Sequence, residues 1–344
     1  MCGLFGMLRV RNWPRERCDR AAGALVMLGL LAEERGVDAA GLAMRGAVGR
    51  GAGSMRRADI TRFADVRVDG WRVVKTRGRF STLDQDAIHS DLRRARVVLG
   101  HTRWATQGGD KLVNASPLVI GPIVGCHNGD VAVSSLRELV DDQVRLAGST
   151  DTEVLLAALA ATDGTAAQVQ SVLETVQGRV ALSWVDHRQP HGLWLARGAL
   201  SPLAVAGDGQ GGLWWASNPQ WLRRVEQHFD LGLSAPRMLR EGTLLRVRGR
   251  DGDLDVQVSP SFVPLVRIQD RRVAGLAAWR GFTRADRADD EARLRNKLVA
   301  PTRTSRWRSD PWPLFGADAV DDWPLPDEQP VGDPDWDDFN WDVA

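Results

Sequence analysis

The sequence predicts an α+β protein folded as a sandwich of layers, on three observations. Apolar runs of strand length recur at close spacing from Cys2 to Val247, only a few segments between them have helical periodicity, and glycine or polar clusters separate the two kinds. At 344 residues, 43% apolar and 26% charged, the chain has material for one large domain with an appendage. A net charge of +1 argues against a general nucleic-acid binder.

Residues 2 to 10 read as a buried strand, with Gly3 and Gly6 marking close backbone approach. From Cys18 to Arg35, the positions of Ala22, Leu25, Val26, Leu28 and Leu31 predict an amphipathic helix closed by Gly36. A strand over Val37 to Met44 follows. Gly46, Gly49, Gly51 and Gly53 then read as a hairpin turn, because a phosphate-binding glycine loop needs a strand before it and a helix after it. Residues 54 to 96 have no clear period.

Val97 to Gly100 and Ile120 to Cys126 read as buried strands. Each delivers a polar cluster at its end, His101 to Gly109 and His127 to Asp130, where binding groups tend to lie. Helices are expected over Ser135 to Leu146, from Thr150 through Ala161, and over Gln168 to Val176. Ser149 or Asp151 fits the N-cap of the middle one ahead of Glu153. Val180 to Val185 reads as a strand. Leu193 to Arg197 and Leu203 to Ala206 read as a strand pair across a turn, and Leu213 to Ser217 and Thr243 to Val247 as further strands.

The composition after residue 265 changes. Arginines dominate from Arg267 to Arg308, with a helix expected near residues 286 to 299, and Ser309 to Ala344 contains no basic residue while Asp, Pro and Trp alternate. The expected division is therefore a domain over 1–265, an arginine-rich, partly helical segment over 266–308 and a disordered acidic tail over 309–344. The tail's spaced tryptophans fit either a docking peptide or a solvating tail folded back on the arginines.

Cys2, Cys18 and Cys126 cannot close a disulfide set, and none has zinc-ligand spacing with another cysteine or histidine, so no metal is expected. The apolar stretch near Ala21 to Ala32 is too short to span a bilayer, and Arg9, Arg11, Arg15 and Arg17 interrupt any leader. The expectation is a cytoplasmic protein without membrane or nucleic-acid partner and without a cofactor.

Chemistry enters at Met1-Cys2-Gly3. If Met1 is trimmed, one residue holds both a thiol and a free α-amine, and an amine of pKa about 7.7 to 8.0 can accept the thiol proton directly or through one water. Those residues alone also fit an ordinary second-position cysteine, so other stretches decide.

Those stretches are Arg35-Gly36-Val37-Asp38-Ala39-Ala40-Gly41-Leu42, His101 to Thr106, Asn114-Ala115 with Pro117, His127-Asn128-Gly129 and Thr150-Asp151-Thr152-Glu153-Val154, with weaker matches at Ser201-Pro202-Leu203 and Ala216-Ser217. Together, in this order, and over roughly residues 2 to 250, they resemble the class II glutamine amidotransferase domain, the N-terminal-nucleophile type found in glucosamine-6-phosphate synthase. The resemblance implies a four-layer αββα sandwich that binds L-glutamine and hydrolyses it to glutamate and ammonia through a Cys2 thioester.

It also implies roles for residues. Asn128, by its side-chain amide, and Gly129, by its backbone N–H, would hold the oxyanion. Arg103 would take the substrate α-carboxylate with Thr106 in support, Asp151 the α-ammonium, and Trp104 would cover the bound glutamine unless it is a packing aromatic. Arg35 would support the N-terminal region, Asp38 its turn, and His101 and His127 would be structural. Val37, Gln107 and Ser116 depart from the family pattern around the glutamine loop. The implied partner is a separate ammonia-accepting ligase or synthase. Two other readings are an N-terminal-cysteine amidohydrolase for another amide, which the Arg103 and Asp151 pairing disfavours, and a non-catalytic scaffold of the same fold.

Overall fold

The computed structural model describes residues 2–46, 63–105, 108–109, 111–140, 144–189 and 192–265. The first half of the chain contains β1 (Gly3–Arg9), α1 (Arg15–Ala32), β2 (Ala39–Gly46), β3 (Phe63–Val68), β4 (Trp71–Arg77), α2 (Gln85–Arg94) and β5 (Ala95–Arg103). There follow β6 (Leu118–Ile120), β7 (Ile123–Val131), α3 (Ser134–Arg137), α4 (Asp151–Ala160), α5 (Ala166–Thr175) and β8 (Gly178–Asp186). The remainder is β9 (Gly192–Arg197), β10 (Ala204–Gly207), β11 (Gly212–Ala216), α6 (Pro219–Phe229), β12 (Arg237–Met238), β13 (Thr243–Arg250) and β14 (Asp253–Val258).

These strands make two sheets. One has the order β12-β10-β11-β1-β5-β2-β4-β3 and the other β14-β13-β9-β8-β7-β6. Side chains alternate across a strand, so each sheet has two apolar faces to cover. Leu4, Leu8, Ala43, Val73, Leu99 and Trp215 of the first sheet meet Val124, Cys126, Ala181, Leu195 and Val247 of the second in one buried cluster. The back of the first sheet is covered by α1, α2 and α6, through Leu25, Leu28, Ile88, Leu92, Trp221 and Leu222. The back of the second takes Leu155, Leu159 and Val172 of α4 and α5 against Leu182, Trp184 and Trp194. The result is the four-layer αββα sandwich.

β1 runs through the middle of its sheet because it is small where it must be. A Cβ on Gly6 would lie 2.2 Å from the Val98 carbonyl oxygen and 2.3 Å from the Trp215 ring. The described part of the stretch without clear period forms β3, β4 and α2. Its charges are met by tertiary partners, Arg72 pairing with both Asp65 and Asp91 at 2.8 Å, which is why the strands there look polar in sequence. α6 has no counterpart among the expected helices, and Asn218 caps it by accepting from the Gln220 N–H ahead of Pro219.

Four expectations need correction. The first helix is α1, Arg15–Ala32, and residues 33–36 form a turn in which the Arg35 N–H donates to the Ala32 carbonyl, so Gly36 does not cap it. Of the helix expected over Ser135 to Leu146, the described residues form only the short α3, after which the Leu139 and Val140 N–H groups donate three residues back, to Leu136 and Arg137, in turns rather than in a continuing helix ladder. β9 and β10 do not pair. β9 lies between β8 and β13 in one sheet while β10 joins β11 in the other, and an apolar run reads alike in either. The polar cluster His127 to Asp130 lies inside β7, which extends to Val131, and β5 takes in His101 to Arg103 of its own cluster, the rest of which follows the strand end. The arginine-rich segment, its expected helix and the acidic tail lie outside the described residues, as does most of the Gly46 to Gly53 turn. No helix of the described residues is long and apolar enough to cross a membrane.

Candidate active site

Cys2 stands immediately before β1, at one end of the sandwich. Its Sγ is 3.4 Å from the Trp104 backbone N, which donates toward it, and 3.6 Å from the Trp104 carbonyl oxygen. The Nε of Arg35 donates to the Cys2 carbonyl at 2.9 Å. Burial pushes the thiol above its ordinary value, while the Trp104 N–H and the Arg103 charge pull against that. Burial also pushes the Arg35 guanidinium down to about 10, which leaves it cationic at neutral pH.

Next to the sulfur is a pocket of about 320 Å³, part of it open to solvent. β5 brings His101 and Arg103 to it, β7 brings His127 and Gly129, and the start of α4 brings Asp151 and Thr152. Trp104, 54% exposed, stands at the mouth, so it is not a core packing aromatic. Asp38 does more than hold its own turn, because its Oδ2 accepts the Ala105 N–H at 2.7 Å and pins the chain just beyond Trp104. Asn114 ties the other rim, donating from Nδ2 to the Gly108 carbonyl and accepting the Ser149 N–H at 3.0 Å.

The N-cap of α4 is Thr150, which accepts the Glu153 N–H, so neither Ser149 nor Asp151 is the cap. Asp151 occupies the first helical turn, where the helix dipole favours an anion. Its Oδ1 accepts from the Thr152 N–H and its Oδ2 from the Val131 N–H, both at 2.9 Å, which fixes the carboxylate and leaves lone pairs toward the pocket.

The two histidines are neutral fixtures. His127 donates from Nε2 to the Arg179 carbonyl at 3.3 Å and accepts the Thr152 hydroxyl at Nδ1 at 3.1 Å, and burial lowers its pKa. His101 donates from Nε2 to the His127 carbonyl at 3.1 Å, and burial pushes it down to about 3. Neither is a proton acceptor for chemistry near pH 7.

Gly129 must be glycine. A Cβ there would sit 1.9 Å from the Arg179 carbonyl oxygen and 2.6 Å from the His127 Nε2. Asn128 does not line the pocket, and its side chain is turned into the space between the sheets, with Nδ2 3.4 Å from the Ser217 Oγ. The structure thus gathers Cys2, Arg103, Trp104, Gly129 and Asp151 around one pocket, with Arg35 behind Cys2 and Asn128 beside Gly129. Thr106 lies outside the described residues. Sequence reasoning assigned no role to Thr150, Thr152, Ser116 and Asn114, which also line the pocket. Asn114 and Ser116 stand in the Asn-Ala-Ser-Pro run and Thr152 follows Asp151, but only the folded chain brings these segments together.

This arrangement, a cysteine opening a central strand of an αββα sandwich, defines an N-terminal-nucleophile hydrolase fold. Comparison narrows the class. Residues 101–224 match the glutamine amidotransferase domain family. The chain is 31% identical over 222 residues to the glutamine–fructose-6-phosphate aminotransferase (isomerizing) of Pyrobaculum aerophilum, covering 61% of this chain and 32% of that protein. With the Streptomyces coelicolor protein of the same name it shares 30% over 260 residues, 73% of this chain and 37% of that protein. The chain therefore spans about a third of the length of these relatives.

Among solved structures, the fold matches a glutamine phosphoribosylpyrophosphate amidotransferase from B. subtilis complexed with ADP and GMP. That match has TM-score 0.51 and 19% identity and covers 74% of this chain and 49% of the other. A second match, a structure described as the allosteric regulatory enzyme of purine biosynthesis, has TM-score 0.55 and 19% identity, with 76% and 50% coverage. Together these findings support a class II, N-terminal-nucleophile glutamine amidotransferase domain in this chain, and the homologues of that domain are enzymes that hydrolyse the glutamine amide.

Proposed function

We propose that residues 2–265 act as a glutaminase that hydrolyses L-glutamine to glutamate and ammonia for a separate acceptor enzyme, an amide ligase or synthase, in the cytoplasm. The observation that carries this reading is the shared pocket of Cys2, Arg103 and Asp151. A nucleophile with one cation and one anion beside it suits an amino acid zwitterion whose side chain reaches the thiol.

In this reading the Cys2 α-amine, freed by loss of Met1, takes the thiol proton, and the thiolate attacks the side-chain amide carbon. The carbonyl oxygen becomes an oxyanion held by the Gly129 N–H and the Asn128 amide. Collapse breaks the C–N bond, the nitrogen leaves as ammonia with the proton returned from the amine, and water hydrolyses the thioester to glutamate and free thiol. Arg103, supported by Thr106, holds the α-carboxylate, Asp151 holds the α-ammonium, and Trp104 folds over the bound substrate. Arg35 keeps the Cys2 carbonyl in place.

Intact mass of the untagged protein, before and after a glutamine-mimicking electrophile, tests this reading with Cys2→Ala as control. A native mass lacking Met1 and one Cys2-dependent adduct are expected. Absence of the adduct in a folded protein would sink the reading. Glutamate release without any acceptor present, rising when the acceptor enzyme is added, would support supply to a second polypeptide.

A further inference from the structure

Ser217 is fully buried and follows the last residue of β11. It is bolted to the N-terminal strand by two backbone-linked contacts. Its N–H donates to the Leu4 carbonyl at 2.7 Å, and its Oγ accepts the Leu4 N–H at 2.9 Å. The same Oγ lies 3.4 Å from the Nδ2 of Asn128, which comes from the opposite sheet. Asn128 is 1% exposed, and its Oδ1 is buried without a hydrogen-bond partner.

A bare carboxamide oxygen in a buried site is unfavourable, and the serine hydroxyl beside it has a proton to give. Turned by 180° about its last side-chain bond, the Asn128 carboxamide would accept that proton, and its NH2 would occupy the place of the bare oxygen. Ser217 would then be satisfied on both sides, accepting from Leu4 and donating to Asn128.

We propose that Ser217 is a positioning residue that sets the Asn128 carboxamide with its oxygen on the Ser217 hydroxyl, so that its NH2 is released for the reaction's oxyanion. This rests on the glutaminase reading above. It explains why a serine follows β11 at this level, joining β1, the strand after Cys2, to the strand that presents Gly129. Both oxyanion donors are then set by buried contacts, Gly129 by its tight fit against Arg179 and Asn128 by Ser217. Fixed donors of this kind act on the transition state and leave ground-state binding nearly untouched.

The experiment is a double-mutant cycle in glutamine hydrolysis, with Ser217→Ala, Asn128→Ala and the pair, each full chain reading kcat and KM separately. Ser217→Ala should lower kcat about 100-fold with KM within about threefold, and the pair should be no slower than Asn128→Ala alone. Should Ser217→Ala fail to fold, because the Leu4 N–H loses its acceptor, Ser217→Cys takes its place in the cycle. Losses in kcat that multiply in the pair, or a rise in KM alone, would overturn the role of Ser217. A folded wild type that hydrolyses no glutamine would instead overturn the reading of function.

Discussion

The buried guanidinium of Arg35 donates from Nε to the carbonyl oxygen of Cys2 at 2.9 Å, so the turn after α1 holds the residue that precedes β1. Hydrogen bonds to charged groups contribute about 1.5 to 3 kcal/mol, and removing one partner leaves the other buried and unmet. Arg35→Met keeps the apolar stem and removes the donor. We expect loss of about 1.5 to 3 kcal/mol of stability in urea titration, and faster proteolysis at the N-terminus.

Cys2 chemistry has a readable pH dependence. Burial raises its thiol pKa, so in a chain that retains Met1 the alkylation rate by iodoacetamide should keep rising with pH above the ordinary cysteine range. In the chain without Met1 the α-amine is adjacent, and the inflection should move toward about 8, where that amine titrates. Identical profiles for the two forms would rule out the amine as base.

Asp151 tests the zwitterion. Asp151→Asn removes the charge but keeps the volume and one carbonyl acceptor for the Val131 or Thr152 N–H. Loss of a charge-assisted contact predicts a KM for glutamine raised about 10- to 100-fold with a smaller change in kcat, checked by steady-state kinetics.

Gly129→Ala would force β7 and β8 apart, since the new Cβ would meet the Arg179 carbonyl at 1.9 Å. A destabilisation of about 3 kcal/mol or more, or failure to express in soluble form, is expected, and a thermal melt within a degree of wild type would contradict it.

The buried histidines give stability its acid limb. His101 is near 3 in the folded state against about 6.5 unfolded, and His127 is lowered too, so between these values the unfolded chain binds more protons. Stability should therefore be full above about pH 6.5 and fall as pH drops below it, by up to about 1.4 kcal/mol per pH unit for each such histidine. Urea midpoints at pH 7 and pH 5 measure the slope, and His101→Asn should flatten it.

Much of this was legible in the chain. The strands expected from Cys2, Val97, Val180 and Thr243 announce themselves because a buried strand needs continuous apolar residues, whereas the run from Ile120 to Cys126 read as one strand spans the end of β6, the turn at Gly121 and Pro122, and the start of β7. The roles of Cys2, Arg103, Asp151 and Gly129 came only through the resemblance, and what the fold adds is that all four border one pocket. What could not be read had its explanation elsewhere in the molecule. β4 looks polar because the partners of Arg72 are Asp65 on β3 and Asp91 on α2, and β9 and β10 look like a hairpin because apolar periodicity does not say which sheet a strand joins.

The sequence by itself determined that apolar strands and a few helices stack in layers, because local hydrophobic pattern specifies these. Only the tertiary structure decided that Thr150 caps α4 while Asp151 faces the pocket, that His127 is held neutral between Arg179 and Thr152, and that Ser217 meets Asn128 across the sheets. The last two of those outcomes depend on hydrogen bonds between residues 25 to 213 positions apart and on burial. Both arise only when the sheets close on each other and water leaves the space between them.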